Sequence, residues 1–167
     1  FLVNRSGNRP SAEGAAERFD QARVLCQDAG FRRITFRGDT DFSQTEYLDR
    51  WDAASVRFIF GYDARANLIR EADALPARAW TRLERRPAYE VQSEPRQRPA
   101  NVKEAIIVER AFKTLRLEAE AVAEFAYQPG ACATPYRMVV VRKNISVEQG
   151  DQRLFDEIRY FFYLTTD

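Results

Sequence analysis

Two carboxylates one residue apart are the first feature of this sequence that could do chemistry. The stretch FRRITFRGDTDFS, Phe31 to Ser43, reads as a strand that ends in Gly38 and then presents Asp39 and Asp41. In extended chain, residues i and i+2 point the same way, so both carboxylates can face one site. Hard oxygen ligands without nitrogen or sulfur suit Mg2+ or Mn2+ rather than zinc. The plainer alternative is that one or both accept backbone hydrogen bonds in the turn ahead of Ser43. Residue types alone leave both open.

Other chemistries are narrowed by what the chain lacks. There is no histidine, which removes Ser-His and Cys-His catalysis. There is no CxxC either, so a structural zinc site is not expected. Cys26 and Cys132 lie far apart, and the expectation for Cys26 is a buried free thiol inside a helix. An EF-hand loop starting at Asp39 would need glycine and glutamate where Gln44 and Arg50 stand. A phosphatase of the D-x-D-x-[TV] type is closer, but DTDFS ends in serine and FRG before it is polar. A glycosyltransferase D-x-D would need a nucleotide-binding domain ahead of it, for which too little chain precedes Asp39. The tripeptide RGD is too common by chance to mean adhesion.

The elements around the pair read as follows. Ser11 is expected to cap a helix from Ala12 to Ala29, with Phe19, Ala22, Leu25, Cys26 and Ala29 at helical spacing and Gly30 ending it. The strand RRITFR follows. SQTE, Ser43 to Glu46, has the form of a capping box for a second helix whose Tyr47, Leu48 and Trp51 share a face. VRFIFGY, Val56 to Tyr62, is a strand by its β-branched and aromatic content. Strand, helix and strand at this spacing make a βαβ unit with parallel strands. A third helix is expected over Arg65 to Ala74. Beyond it, RLERRPAYEVQSEPRQRPANVKE reads as loop with a short strand at AYEV. VAEFAYQP, YRMVVVRKN and RYFFYLTT are strand candidates, and the last two could pair antiparallel.

With 167 residues the chain can bury one sizeable core, and 45% apolar against 31% charged residues places it among globular chains. It has no apolar run long enough for a transmembrane helix and no secretory leader pattern. It opens on Phe1, its single methionine is Met138, and its last strand stops abruptly, so the expectation is a fragment of a longer protein. The net charge is only +1, but phosphate binding needs a local basic face, not a basic total. Arginines recur at 32, 33 and 37, at 82, 85 and 86, at 96 and 98, and at 137 and 142. For each cluster a solvated face is the ordinary alternative.

Taken together, the ordered segments NRSGNRPSAEGAAERFDQARVLCQDAGFRRITFRGDTDFSQTEYLDRWDAASVRFIFGYDARANL and YRMVVVRKN…FDEIRYFFYLTTD resemble the middle of bacterial insertion-sequence transposases of the DDE type. The R-[GA]-D-[ST]-x-F motif is matched by RGDTDF, and the V-x-[FY]-x-[FI]-G strand by VRFIFGY. RGDTDF alone is weak; with its ordered flanks it is much more specific. The resemblance implies an α/β fold, a partial ribonuclease H-like core with a mixed sheet and helices over residues 1–75. A β-rich insertion is implied over 76–150, with a strand returning to the core sheet over 151–167.

It also implies a reaction. Two aspartates and a glutamate hold two Mg2+ (or Mn2+) ions, which activate water and then a 3′-hydroxyl against a phosphodiester. Asp39 matches the second acid; Asp41 matches no acid of the triad and is the weaker metal candidate. Gly38 is expected to bring the backbone close to the metals. The first aspartate and the glutamate are expected outside this chain, so no strand transfer is expected of it alone. Arg37, Arg82, Arg85, Arg86, Arg137, Arg142 and Lys143 are candidates for phosphate contact, and Tyr127 or Tyr136 for base stacking. Trp51 and Trp80 are expected in the core. The implied partners are DNA, as transposon ends and target, and a second copy in a transpososome homodimer, with no membrane and no small-molecule cofactor. The implied place is the bacterial cytoplasm, at the nucleoid. The rival readings are a non-catalytic DNA-binding module, or decayed remnant, and the D-x-D phosphatase.

Overall fold

The computed structural model describes residues 7–10, 12–85, 102–150 and 152–167. It is a mixed α/β structure: α1 Ala15–Asp28, β1 Thr35–Gly38, α2 Leu48–Ala53, β2 Arg57–Tyr62, α3 Ala66–Ala74, β3 Thr81–Arg82, α4 Val102–Glu109, β4 Lys113–Tyr127, β5 Tyr136–Gln149 and β6 Gln152–Thr165. The six strands hydrogen-bond in the order β1-β2-β6-β5-β4-β3. β1 and β2 are parallel, with Phe36 beside Phe58 and Gly38 beside Phe60, as the βαβ pattern requires. β2 is flanked on its other side by antiparallel β6, Phe60 opposite Leu164. Too few residues separate β5 from β6 for a crossover, so these neighbours run antiparallel. The chain forms two compact units, Phe1–Leu75 with Ala123–Val140 and Phe161–Asp167, and Pro76–Val122 with Val141–Tyr160.

The first unit is built on aromatic residues that alternate along its strands. Phe36 is the buried residue of β1, while Thr35 and Arg37 are exposed. Phe58, Phe60 and Tyr62 are buried along β2. Onto them α2 brings Leu48 and Trp51, one turn apart and almost fully buried. Trp51 meets Phe36 edge-on at 5.2 Å, Phe60 at 5.9 Å and Phe19 of α1 at 5.5 Å. Its indole N–H donates to Asp20 of α1 at 3.0 Å, so the buried ring keeps a polar partner. α3 adds Leu68 and Ala72, both buried. The second unit holds β3, α4 and the distal parts of β4, β5 and β6, with Val141, Ile145 and Val147 buried along β5.

Several expectations are corrected. α1 begins at Ala15 with Gly14 at its cap, and Ser11 lies outside the described residues. Of the face expected to be buried, Phe19, Ala22 and Cys26 are half-buried, and Leu25 and Ala29 are exposed, Leu25 by 59%. Gly30 does end α1 as expected: at φ +86 it lets its own N–H reach Gln27 and that of Phe31 reach Cys26. The capping box does not form. Ser43 Oγ instead donates to the Thr40 carbonyl at 2.8 Å, and α2 starts only after a short helical turn at Thr45–Tyr47. α4 begins inside the charged stretch read as loop, and AYEV lies outside the described residues.

Because Trp51 touches α1, β1 and β2 at once, Trp51→Ala is expected to lower unfolding free energy by about 3–5 kcal/mol, measured by urea denaturation. A loss below about 1 kcal/mol would show that the aromatic cluster does not hold this unit together.

Candidate functional site: the Asp39 turn

β1 stops at Gly38, and the next residue, Asp39, caps a short helical turn over Thr40–Phe42. Its Oδ1 accepts the Asp41 N–H at 3.2 Å, and its carbonyl accepts the Phe42 N–H at 3.2 Å. Asp39 suits this cap position chemically; the helix that Ser43 was expected to cap is the later α2. Asp39 is exposed and lies at the carboxyl end of a strand in a parallel pair, where α/β sheets bind ligands. Among the described residues, that one amide is the only hydrogen bond to its carboxylate.

Gly38 has a packing reason that the sequence reading did not contain. A Cβ there would come within 2.8 Å of Phe42 Cβ and 3.1 Å of the Phe60 ring. The glycine lets Phe42 fold back over β1. Asp41 is exposed and contributes its backbone N–H to Asp39. No group of three acidic, cysteine or histidine side chains able to hold a metal occurs among the described residues. A divalent cation asks for more oxygen ligands than this turn brings. Among the described residues the turn by itself does not supply a full set of metal ligands.

The basic candidates separate by their partners. In the first unit Arg37 is exposed on β1 and has no ion pair among the described residues. Arg137 donates to Glu124, with Nε at 2.7 Å, and to the Asp167 carbonyl at 2.7 Å. In the second unit Arg85 grips Glu120 with two bonds of 2.6 and 3.1 Å, and Lys143 lies 3.5 Å from the same carboxylate. The Arg85 guanidinium, followed by Lys143, holds Glu120 below the usual carboxylate range. Arg142 lies over the Trp80 ring at 4.3 Å. Arg82 is exposed on β3, and Arg86, Arg96 and Arg98 lie outside the described residues. Trp80 is half-buried, with Arg142 on its ring and Tyr160 at 6.2 Å, so it is less enclosed than expected.

The aromatic candidates separate too. Tyr136 is buried against Phe58 at 5.1 Å and donates its hydroxyl to Asp49 at 2.6 Å, which leaves no ring face for a base. Tyr127 is half-buried beside Tyr62 at 5.7 Å, and burial pushes the Tyr62 hydroxyl up to about 12. Cys26 is half-buried on α1 rather than buried. Cys132 is the buried thiol, donating to the Thr45 carbonyl at 3.3 Å and pushed up to about 11 by burial.

The residue that sequence reasoning missed is Asp49 of α2. Its carboxylate accepts the Ala133 N–H at 2.6 Å, the Thr134 hydroxyl at 3.4 Å and the Tyr136 hydroxyl at 2.6 Å. These bonds fasten the loop before β5 to α2, and the Ala133 amide above all holds Asp49 below the usual carboxylate range. The only local signal was an aspartate in the first turn of a helix, which the helix dipole also explains.

A folded-state carboxyl held low contributes stability above the unfolded value of about 3.9, and loses it as pH falls through the lower folded value. Asp49→Asn is therefore expected to melt below the wild type at neutral pH, with the gap closing as pH drops below about 4. A gap that stays constant through that range would show that the charge on Asp49 does not fasten the loop. No protein-family model, no curated protein and no solved structure matches this chain.

Proposed function

We propose that this chain is the central part of a DDE-type DNA transposase, with a partial ribonuclease H-like core and a β-rich insertion. Asp39 would be one of three metal-ligating carboxylates. The observation that carries the reading is Asp39 itself: an exposed carboxylate at the carboxyl end of β1, on a turn closed by its own side chain, beside parallel β2. RGDTDF and VRFIFGY, which carry the resemblance, lie on that strand and turn and on that neighbouring strand. The return of β6 beside β2 agrees with a strand that re-enters the core sheet after an insertion.

Under this reading, bound Mg2+ or Mn2+ supplies activation of a water or 3′-hydroxyl and stabilises the leaving oxygen. Asp39 offers one oxygen ligand from a fixed turn. The other two acids come from outside the Asp39 turn, and the chain alone cuts no DNA. The partners are transposon ends and target DNA, with a second copy of the protein. Arg37, Arg82 and Arg142 are the phosphate candidates with no carboxylate partner among the described residues, Arg142 lying over the Trp80 ring. Arg85, Arg137 and Lys143 would first have to leave Glu120 and Glu124, which weakens their case.

The test uses Mn2+ as the probe and nuclear magnetic resonance of the backbone amides. Broadening is expected first at Asp39 to Asp41, is lost in Asp39→Asn, and survives Asp41→Asn. Broadening that is scattered over the chain and unchanged in Asp39→Asn would remove Asp39 as a ligand. The same preparation is expected to leave plasmid DNA intact in Mg2+. Nicking by the chain alone, lost in Asp39→Ala, would refute the need for two further acids. Phosphate release from a phosphomonoester, with Asp39 phosphorylated, would favour the phosphatase instead.

A further inference from the structure

β2 carries a glycine in its interior, Gly61, and a glycine inside a strand marks a bulge, a weak point or a close backbone approach. It is not a conformational requirement, since the left-handed glycines of the described residues are Gly14, Gly30 and Gly150. Space is what singles out Gly61. A Cβ built there would stand 2.9 Å from the Thr40 backbone nitrogen, 3.1 Å from the Asp39 carbonyl carbon and 3.3 Å from Thr40 Cγ2. The nearest atoms belong to the backbone, which cannot turn aside as a side-chain tip can. Any side chain at position 61 must push the Asp39–Thr40 peptide off β2.

The contrast with Gly38 sharpens this. A Cβ at Gly38 meets the side chains of Phe42 and Phe60. Gly38 therefore seats the far end of the turn, and Gly61 seats the peptide that carries the acid. The turn's own bonds run from Asp41 and Phe42 back to Asp39 and from Ser43 back to Thr40, so they fix its shape but not its height over the sheet. The height is set where the Asp39–Thr40 peptide rests on Gly61.

We propose that Gly61 is a positioning residue for the Asp39 carboxylate: the missing side chain lets the Asp39–Thr40 peptide lie on β2 and so fixes where the acid oxygen stands. The inference rests on Asp39 being a metal ligand, and it adds a residue that never touches the metal. Sites of this kind are sensitive to small displacements, with a shift of about 1 Å able to change rates on the order of 100-fold.

The test first reads the turn without any metal. In the wild type a nuclear Overhauser contact between the Gly61 α-protons and the Thr40 amide is expected, and its absence overturns the close approach. Gly61→Ala is expected to move the Asp39 and Thr40 amide signals and to lose the Mn2+ broadening at Asp39, while amides of α3 keep their wild-type positions. Ile59→Val, a change on β2 that leaves Gly61 in place, is the comparison and is expected to keep the wild-type turn signals and the broadening. Mn2+ broadening at Asp39 in Gly61→Ala equal to that of the wild type overturns the proposal. If Gly61→Ala does not fold, the wild-type Overhauser contact still decides. A wild type that Mn2+ leaves unbroadened reduces Gly61 to a packing residue and overturns its positioning role. That failure is told apart from the first because the Overhauser contact is read without metal.

Discussion

The first unit depends on how the Trp51 indole is satisfied on all sides. Its ring lies among Phe19, Phe36 and Phe60, and its one polar atom finds Asp20. Burial of so large a ring is favourable only if the N–H keeps a hydrogen bond. That single bond therefore couples the hydrophobic gain to the placement of α1. Arg50, next to Trp51, also reaches Asp20, so one carboxylate answers two neighbours on α2. Remove the tryptophan and α1 keeps little more than Ala15, Ala16 and Phe19 as its purchase on the strands.

How much of this was legible in the sequence depended on the range of the interaction. Phe58, Phe60 and Tyr62 announced β2 by its aromatic and β-branched content, and Gly30 announced the end of α1 by chemistry that is complete within one turn. The parallel pairing of β1 with β2 followed from spacing alone. Ser43 and Glu46 matched a capping box by spacing, yet Ser43 closes the Thr40–Phe42 turn and its hydroxyl bonds back to the Thr40 carbonyl. A local pattern cannot show which of the backbone groups within reach such a hydroxyl takes. The same limit hid Asp49, whose partner Ala133 comes 84 residues later. The length of β4 was read short because Leu115 and Leu117 are exposed and their stretch carries no buried stripe.

Charge tells a similar story in the second unit. Glu120 is nearly buried on β4, and it draws Arg85 and Lys143 onto itself. An aspartate or glutamate left alone in such a place would be costly, so its neighbours are recruited to it before any outside ligand. Arginine count in a sequence therefore overstates the positive surface that a folded chain offers. Asp39 differs from Glu120 in that, among the described residues, it answers only a backbone amide.

The strand order has one more consequence. Its longest members, β4, β5 and β6, lie inside, and its outermost members are the four residues of β1 and the two of β3. Each outer strand carries an exposed arginine, Arg37 or Arg82. A foreign strand at β1 or β3 would find a ladder only a few bonds long with a cation beside it, and short, charged margins are how β-proteins avoid polymerising edge to edge. That protection is local, because β3 pairs with β4 only at Ala121 and Val122, and β2 with β6 only from Phe162 to Thr165.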